Sequence, residues 1–292
     1  MKIPGLLAKK QTISFEFFPP KDPANLPDIL SVMEELKALR PDFVSITFGA
    51  GGSTIGCSEE LALRAQRKLG MNVMSHLTLA GQTRQQNHDF LERIAAGGIQ
   101  NVIALRGDLP QTASSASPAS GGFEYTHQLI GHIRERFDVA IGAACYPEGH
   151  PDSPGLDADI EHTKRKVDAG ADFLVTQLFF DNIDYFRLLE RAHRAGITVP
   201  IIAGILPVLD ASQARRFAAR CGATIPPALN EGLERYSYDS AAVREFGIEY
   251  TTAQVSDLRN KGVAGVHFYV LNRTYSVTKI FRNLGLVKQS AD

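Results

Sequence analysis

The stretch 172–206, DFLVTQLFFDNIDYFRLLERAHRAGITVPIIAGIL, decides the fold. It opens on a β-rich run from Asp172, passes into helical spacing over 183–195 and meets Gly196. It then returns to a β-rich run from Val199. Strand, helix and strand in that order imply parallel pairing, because parallel neighbours need a crossover connection. The same unit recurs outward in both directions. Earlier runs begin near Thr12 (TISFEFF), Asp42 (DFVSITF), Asn72 (NVMSHLTL), Asn101 (NVIALRG) and Asp138 (DVAIGAAC), and the last near Gly265 (GVHFYVLN). Eight such strands predict an α/β fold of the (β/α)8 TIM-barrel type, one catalytic domain over 1–292.

The segments between the runs carry helical periodicity. Leu26, Ile29, Leu30, Met33, Leu36 and Leu39 share one face, and Pro41 ends that helix. Helices are expected over 58–68, 82–96, 158–169, 183–195 and 211–220, most stopping at a glycine. The long interval before the last strand holds two additional helices, 227–234 and 240–260. The low-complexity stretch 111–122, QTASSASPASGG, reads as a mobile loop after strand four rather than an interdomain linker.

Composition narrows the function classes. The 31 basic and 32 acidic side chains leave a net charge of -1, with no basic tract to serve as a nucleic-acid footprint. The three cysteines, Cys57, Cys145 and Cys221, form no CxxC pair, and no HExxH or comparable ligand pair occurs, so neither disulfide nor metal is expected. The apolar runs fall short of a signal peptide or a membrane span, and a cytoplasmic protein is expected.

In a barrel the side chains at strand C-termini converge on one rim. On strand one, alternation puts Ser14 and Glu16 on one side and Phe15 and Phe17 on the other. If the phenylalanines face the helices, Glu16 points inward. An inward carboxyl beside apolar walls is expected to have a raised pKa, suited to a general acid; the other reading is a structural carboxylate paired with a cation. The turn Phe48-Gly49-Ala50-Gly51-Gly52 departs from a dinucleotide fingerprint, since Thr54 takes the final glycine position. His76 closes strand three, either as a hydrogen-bonding core residue or as part of the site. The end of strand four, Arg106-Gly107-Asp108, reads either as a salt-bridged turn or as a close backbone approach. The run Lys164-Arg165-Lys166 reads as a solvated face or an anion site.

The strand endings taken together resemble the methylenetetrahydrofolate reductases of the bacterial catalytic-barrel type. The matching stretches are SFEFFPPK from Ser14, VSITFGAGG from Val44, SHLT from Ser75, ALRGDLP from Ala104 and YPEGHP from Tyr146. They continue with KRKVDAGAD from Lys164, TQLFFD from Thr176, GILPV from Gly204 and HFYVLNR from His267. The resemblance implies FAD as cofactor, NADH or NADPH as electron donor with NADH preferred, and a folate substrate. It implies ping-pong reduction of 5,10-methylenetetrahydrofolate to 5-methyltetrahydrofolate, in a homo-oligomer of one-carbon metabolism.

Carried over by motif, Glu16 is the general acid and Asp108 stabilises the cationic intermediate and tunes the flavin. Gln177 binds folate, Phe217 stacks on the nicotinamide or the pterin, and Gln213 and Arg273 lie on the substrate side. Thr47, His76, Arg106, Gly107, Asp108, Tyr146, His150, Asp159, Arg165 and Lys166 match cofactor-contact positions. Two residues depart from the pattern: Phe48 stands where many relatives have tyrosine, and His162 where familiar bacterial members have asparagine. Because the chain ends soon after the barrel, control by S-adenosylmethionine is not expected. The competing readings are a related barrel flavoenzyme, such as a proline dehydrogenase, and a folate- or flavin-binding barrel without turnover.

Overall fold

The computed structural model describes residues 1–49, 55–107 and 121–287. Eight parallel strands pair in chain order and close into a barrel. They are β1 (Thr12–Phe17), β2 (Phe43–Ile46), β3 (Val73–Thr78), β4 (Asn101–Leu105), β5 (Ala140–Cys145), β6 (Phe173–Thr176), β7 (Ile201–Ile205) and β8 (Gly265–Tyr269). Closure comes from β8 lying beside β1, with Ser14 opposite His267 and Glu16 opposite Tyr269. On the other side of β1, Glu16 is opposite Ser45 of β2.

The pleat sorts the side chains of β1 as alternation predicts. Phe15 and Phe17 are fully buried on the helix side, and Phe15 packs edge-on against Phe268 and Phe281 at 6.0 and 5.6 Å. Removing such a ring from water stabilises the fold by roughly 2–3 kcal/mol, so the inward direction of Ser14 and Glu16 is set by the apolar residues that alternate with them. The base of the barrel interior is filled by Phe43, Met74, Ile103, Phe173 and Ile202.

A short helix that the sequence reading did not anticipate, α1 (Ile3–Leu7), seals this base. Ile3 is fully buried in the same cluster, and its N–H donates to Asn101 Oδ1 at 2.8 Å.

The outer layer comprises α2 (Leu26–Lys37), α3 (Ile55–Arg67), α4 (Arg84–Ala96), α5 (Thr126–Arg136), α6 (Leu156–Asp168), α7 (Asn182–Arg194) and α8 (Ala211–Cys221). The two helices expected before the last strand are α9 (Pro227–Arg235) and α10 (Ser240–Asn260), and α11 (Tyr275–Asn283) follows β8. Helices α5 and α11 were not singled out by periodicity, because each buries only a short apolar set, such as Leu129, Ile130 and Ile133 in α5. Around α8, α9 and α10 a second apolar cluster forms, with Leu178, Phe180, Leu206, Leu229, Leu233 and Val243 at its centre. It raises a wall over the ends of β6 and β7. Among the described residues no helix is long and apolar enough to cross a membrane.

Candidate active site

Glu16 lies inside the barrel near the end of β1 and is only 8% exposed. Its Oε2 is 3.2 Å from His76 Nε2 of β3 and 3.6 Å from His267 Nε2 of β8. Ser45 of β2 donates its hydroxyl to the same oxygen at 3.4 Å. Four strands thus converge on one carboxylate.

The raised pKa expected from apolar surroundings is not what the structure gives. Burial does push the carboxyl upward, but hydrogen bonding and charge from His267 and His76 outweigh it and bring Glu16 down to about 2. Its resting form is therefore the carboxylate. A buried charge persists only when paired and hydrogen-bonded, and the two imidazoles supply that pairing. The inward direction of Glu16 holds, but the apolar-wall argument for a raised pKa fails because strand parity on β3 and β8 brings imidazoles to the same oxygen, so the carboxyl is found paired, as in the second of its two readings.

His267 is the residue that the sequence reading missed. It is 1% exposed and has oxygens at both ring nitrogens: Ser14 Oγ 2.7 Å from Nδ1 and Ser45 Oγ 3.2 Å from Nε2. Its ring stacks on Phe43 at 6.1 Å and meets the edge of Tyr269 at 5.5 Å. Tyr269 in turn donates its hydroxyl to the Thr176 carbonyl at 2.6 Å. That contact crosses directly over Gly204, where a Cβ would collide with the Thr176 carbonyl and lie 2.6 Å from the Tyr269 hydroxyl. The signal for His267 was present in principle, since it has the parity of Tyr269 within GVHFY, but its partner on β1 emerges only on closure.

A second polar group occupies the rim at β4, β5 and the start of α6. Arg106 pairs with Asp152 at 2.8 Å, both largely exposed. His150 donates its backbone N–H to the buried Asp159 at 3.1 Å, and its Nδ1 accepts from the Asp152 N–H at 3.0 Å. Burial, with the nearby Arg106 charge, lowers the His150 pKa. The Tyr146 ring meets that of His150 edge-on at 4.7 Å, and burial pushes its hydroxyl up to about 12. Lys166 reaches under the strand ends and donates to the Ala144 carbonyl at 2.6 Å; burial lowers its pKa, opposed by Cys145 and Asp159. Gly107 has a positive φ of 81°, and a Cβ there would stand 2.7 Å from Thr78 Cβ, so both the turn and the packing of Thr78 against it require glycine. Thr47 is buried at the end of β2, its N–H bonded to the Phe17 carbonyl at 2.9 Å.

Arg165 is exposed beside Glu161, 4.0 Å away, on the side of α6 whose charge is felt by His127. Of the basic run, Lys166 thus turns inward while Arg165 stays at the surface. His162 is likewise exposed on α6. Phe48 is buried edge-on against Phe90 of α4 at 5.1 Å, so its ring serves the helix packing. Asp108, most of 111–122 and the glycine turn beyond Gly49 lie outside the described residues.

The substrate-side candidates divide. Gln177 follows β6, with its N–H bonded to the Cys145 carbonyl at 2.8 Å and its Oε1 accepting from Leu178 N–H at 2.8 Å. Gln213 and Phe217 sit one turn apart on α8, and Phe217 edges the apolar wall. Asp210 caps that helix by accepting from Gln213 N–H at 2.7 Å. Arg273 lies farther out, on a cavity of about 530 Å³ shared with Asp210, Arg244 and Tyr275. It follows two consecutive residues of positive φ, Leu271 and Asn272, and Asn272 exchanges two hydrogen bonds with the Phe18 backbone, both 2.9 Å. Among the described residues no group of three or more His, Cys, Asp or Glu side chains is placed to hold a metal ion.

A closed (β/α)8 barrel with its buried polar groups at the strand C-termini carries them where barrel enzymes perform their chemistry. The methylenetetrahydrofolate reductase family profile matches residues 2–285. The Escherichia coli 5,10-methylenetetrahydrofolate reductase is 34% identical over 94% of this chain and 90% of its own length. The Salmonella typhimurium enzyme of the same name is 36% identical with the same coverage. The chain belongs to the methylenetetrahydrofolate reductase family. Methylenetetrahydrofolate reductase (NADH) 1 of Arabidopsis thaliana is 36% identical over 99% of this chain, which spans only 51% of that relative. The chain thus covers about half the length of the plant relatives it matches. In fold it also resembles a Clostridium thermocellum protein described as binding two copies of 5-methyl-5,6,7,8-tetrahydrofolic acid. The TM-score is 0.62 at 15% identity, over 95% of each chain.

Proposed function

We propose that this chain reduces 5,10-methylenetetrahydrofolate to 5-methyltetrahydrofolate with FAD as cofactor and NADH, or less readily NADPH, as electron donor. The observation that carries the reading is Glu16, a buried carboxylate held by two imidazoles at the barrel mouth, in a member of this family. Glu16 would give a proton to the folate nitrogen that leaves as the five-membered ring opens to an iminium cation. General acid catalysis of this kind contributes typically 10²–10⁴-fold. Asp108 would set a fixed negative charge near that cation, Gln177 would hydrogen-bond the folate, and Phe217 would stack on the nicotinamide or the pterin. Gln213 and Arg273 would complete the substrate side.

The rim at β4, β5 and α6 suits a dinucleotide with a diphosphate. It offers the cations Arg106 and Lys166, the glycine turn at Gly107, and Tyr146 as an aromatic face, with Thr47, His76, His150, Asp159 and Arg165 around them. When bound, FAD would supply hydride relay between the nicotinamide and the folate carbon. One pocket serving both substrates in turn requires ping-pong kinetics. We place the enzyme in the cytoplasm as a homo-oligomer.

The test is spectroscopic. The purified protein carries or takes up FAD, NADH bleaches its visible absorption, and methylenetetrahydrofolate restores it. A protein that takes up no flavin, or whose reduced flavin is indifferent to the folate, overturns the reading.

A further inference from the structure

The turn between β6 and α7, residues 177–181, runs against the apolar wall. Thr176, Leu178, Phe179 and Phe180 are buried, and Gln177 between them is partly exposed. Leu178 and Phe180 enter the wall formed with α8, α9 and α10, while Phe179 enters the main core and stacks on Tyr185 at 5.6 Å. A turn sunk among apolar side chains gives up its water, so its carbonyls need donors from the protein.

Those donors are side chains of α10 and β8. Gln254 Nε2 donates to the Phe179 carbonyl at 3.1 Å, and the Tyr250 hydroxyl to the Phe180 carbonyl at 2.9 Å. At the start of the turn the Tyr269 hydroxyl holds the Thr176 carbonyl, and the Gln177 N–H reaches the Cys145 carbonyl. The contact is returned from α7, where Asn182 Nδ2 donates to the Gln254 carbonyl at 3.0 Å and to Asp257 Oδ2 at 2.8 Å. Helical spacing puts Tyr250, Gln254 and Asp257 on one face of α10, the face that meets the turn. The helix is itself fixed against the chain leaving β7: a Cβ on Gly247 would stand 2.0 Å from the Val208 carbonyl.

We infer that Tyr250 and Gln254 are positioning residues for the substrate: from α10 they clamp the turn that carries Gln177 and so fix where its amide meets the folate. This rests on the proposed folate reduction and on Gln177 as a folate contact. The orientation of the amide follows from the same clamp. The Leu178 N–H can only donate, so the Gln177 oxygen faces it at 2.8 Å and Nε2 is turned away from the backbone, free to donate to a ligand. With the Phe179 and Phe180 carbonyls held, the Leu178 N–H keeps its place and Gln177 is presented at one angle. The wall that α10 helps to build also carries Phe217, so Gln177 and Phe217 are held to one frame. Such preorganisation acts on binding, since the ordering is complete before the ligand arrives.

Gln254→Met keeps the length of the side chain and removes its donor, and Tyr250→Phe removes only a hydroxyl. FAD-loaded, NADH-reduced enzyme is mixed rapidly with methylenetetrahydrofolate at a series of concentrations, with each substitution alone and in a Gln177→Ala background. In Gln254→Met the half-saturating folate concentration is expected to rise about fivefold, with the limiting rate of flavin reoxidation within about twofold. In the Gln177→Ala background the same substitution is expected to add nothing, because the two act as one unit. An equal loss in both backgrounds, or a fall in the limiting rate alone, is what ordinary structural support gives and overturns the clamp. Gln177→Ala with the folate dependence of the wild type overturns it too. Wild-type enzyme that fails to reoxidise with folate overturns instead the proposed function.

A second readout needs no turnover. Amide hydrogen exchange over 177–182 of the holoenzyme is expected to quicken about tenfold in Gln254→Met, and less in Tyr250→Phe, while exchange in β1 to β5 stays as in the wild type. Unchanged exchange over 177–182 overturns the clamp whatever the kinetics give. Should Gln254→Met not fold, Tyr250→Phe carries both measurements, since Tyr250 is only half-buried and keeps its ring.

Discussion

The two sides of the barrel mouth are built on different principles. On the β1, β2, β3 and β8 side the polar groups stand on strands, inside the barrel, largely buried and within 3.6 Å of one carboxylate oxygen. On the β4, β5 and α6 side they stand on loops and a helix, and the Arg106–Asp152 pair is more than half exposed. Strand-borne groups have their positions set by the pleat and register, so they can hold a proton donor at fixed geometry without solvent screening. Loop-borne cations in contact with water contribute little to stability and are free to exchange a protein partner for an anionic ligand. On the proposed function the first side would carry the chemistry and the second would hold the cofactor.

The largest effect that would sharpen this contrast is on the strand side. Glu16→Gln is expected to lower the folate half-reaction by about 10³-fold while flavin reduction by NADH survives within a few-fold, measured by stopped-flow absorbance. Loss of both half-reactions together would erase the division of labour. On the loop side, Lys166→Met should weaken FAD binding by roughly 10–100-fold, read from flavin released on dilution, because a charge-assisted contact is worth about 1.5–3 kcal/mol. Unchanged FAD affinity would remove Lys166 from the cofactor side.

Smaller effects fall on stability. Gly204→Ala places a methyl group against the Thr176 carbonyl and the Tyr269 hydroxyl, and overpacking there should cost about 1–3 kcal/mol in urea unfolding. The Glu16 carboxyl has a folded-state pKa depressed from 4.5 to about 2. Its contribution to stability is therefore fully present above 4.5 and lost as pH falls towards 2. The Tm advantage of wild type over Glu16→Gln should accordingly shrink across that acid window; a gap constant with pH would contradict the depressed value. The smallest change is Phe48→Tyr. Since Phe48 packs on Phe90, a hydroxyl at that position should shift stability by less than about 1 kcal/mol and FAD affinity by no more than about threefold.

Much of this was legible in the sequence because barrel strands announce themselves locally. The eight β-rich runs coincide with β1 to β8, and the additional helix read at 240–260 is α10, Ser240–Asn260. Glu16 was legible because its phenylalanine neighbours must face the helices. Helix α1 was not, since Ile3 and Leu7 find their partners only at the closed base of the barrel. The charge state of Glu16 was misread for a related reason. Apolar neighbours along the chain argued for a raised pKa, while the groups that lower it come from β3 and β8.

The sequence by itself determined the barrel, the family and the inward direction of Glu16, since each rests on alternation or on short motifs within one element. Only the tertiary structure decided which groups share that carboxylate. Ser14 and His267 are 253 residues apart and meet because β8 closes onto β1. A proton's location depends on charges and hydrogen bonds within a few ångströms, and on this side of the mouth those come from four different strands.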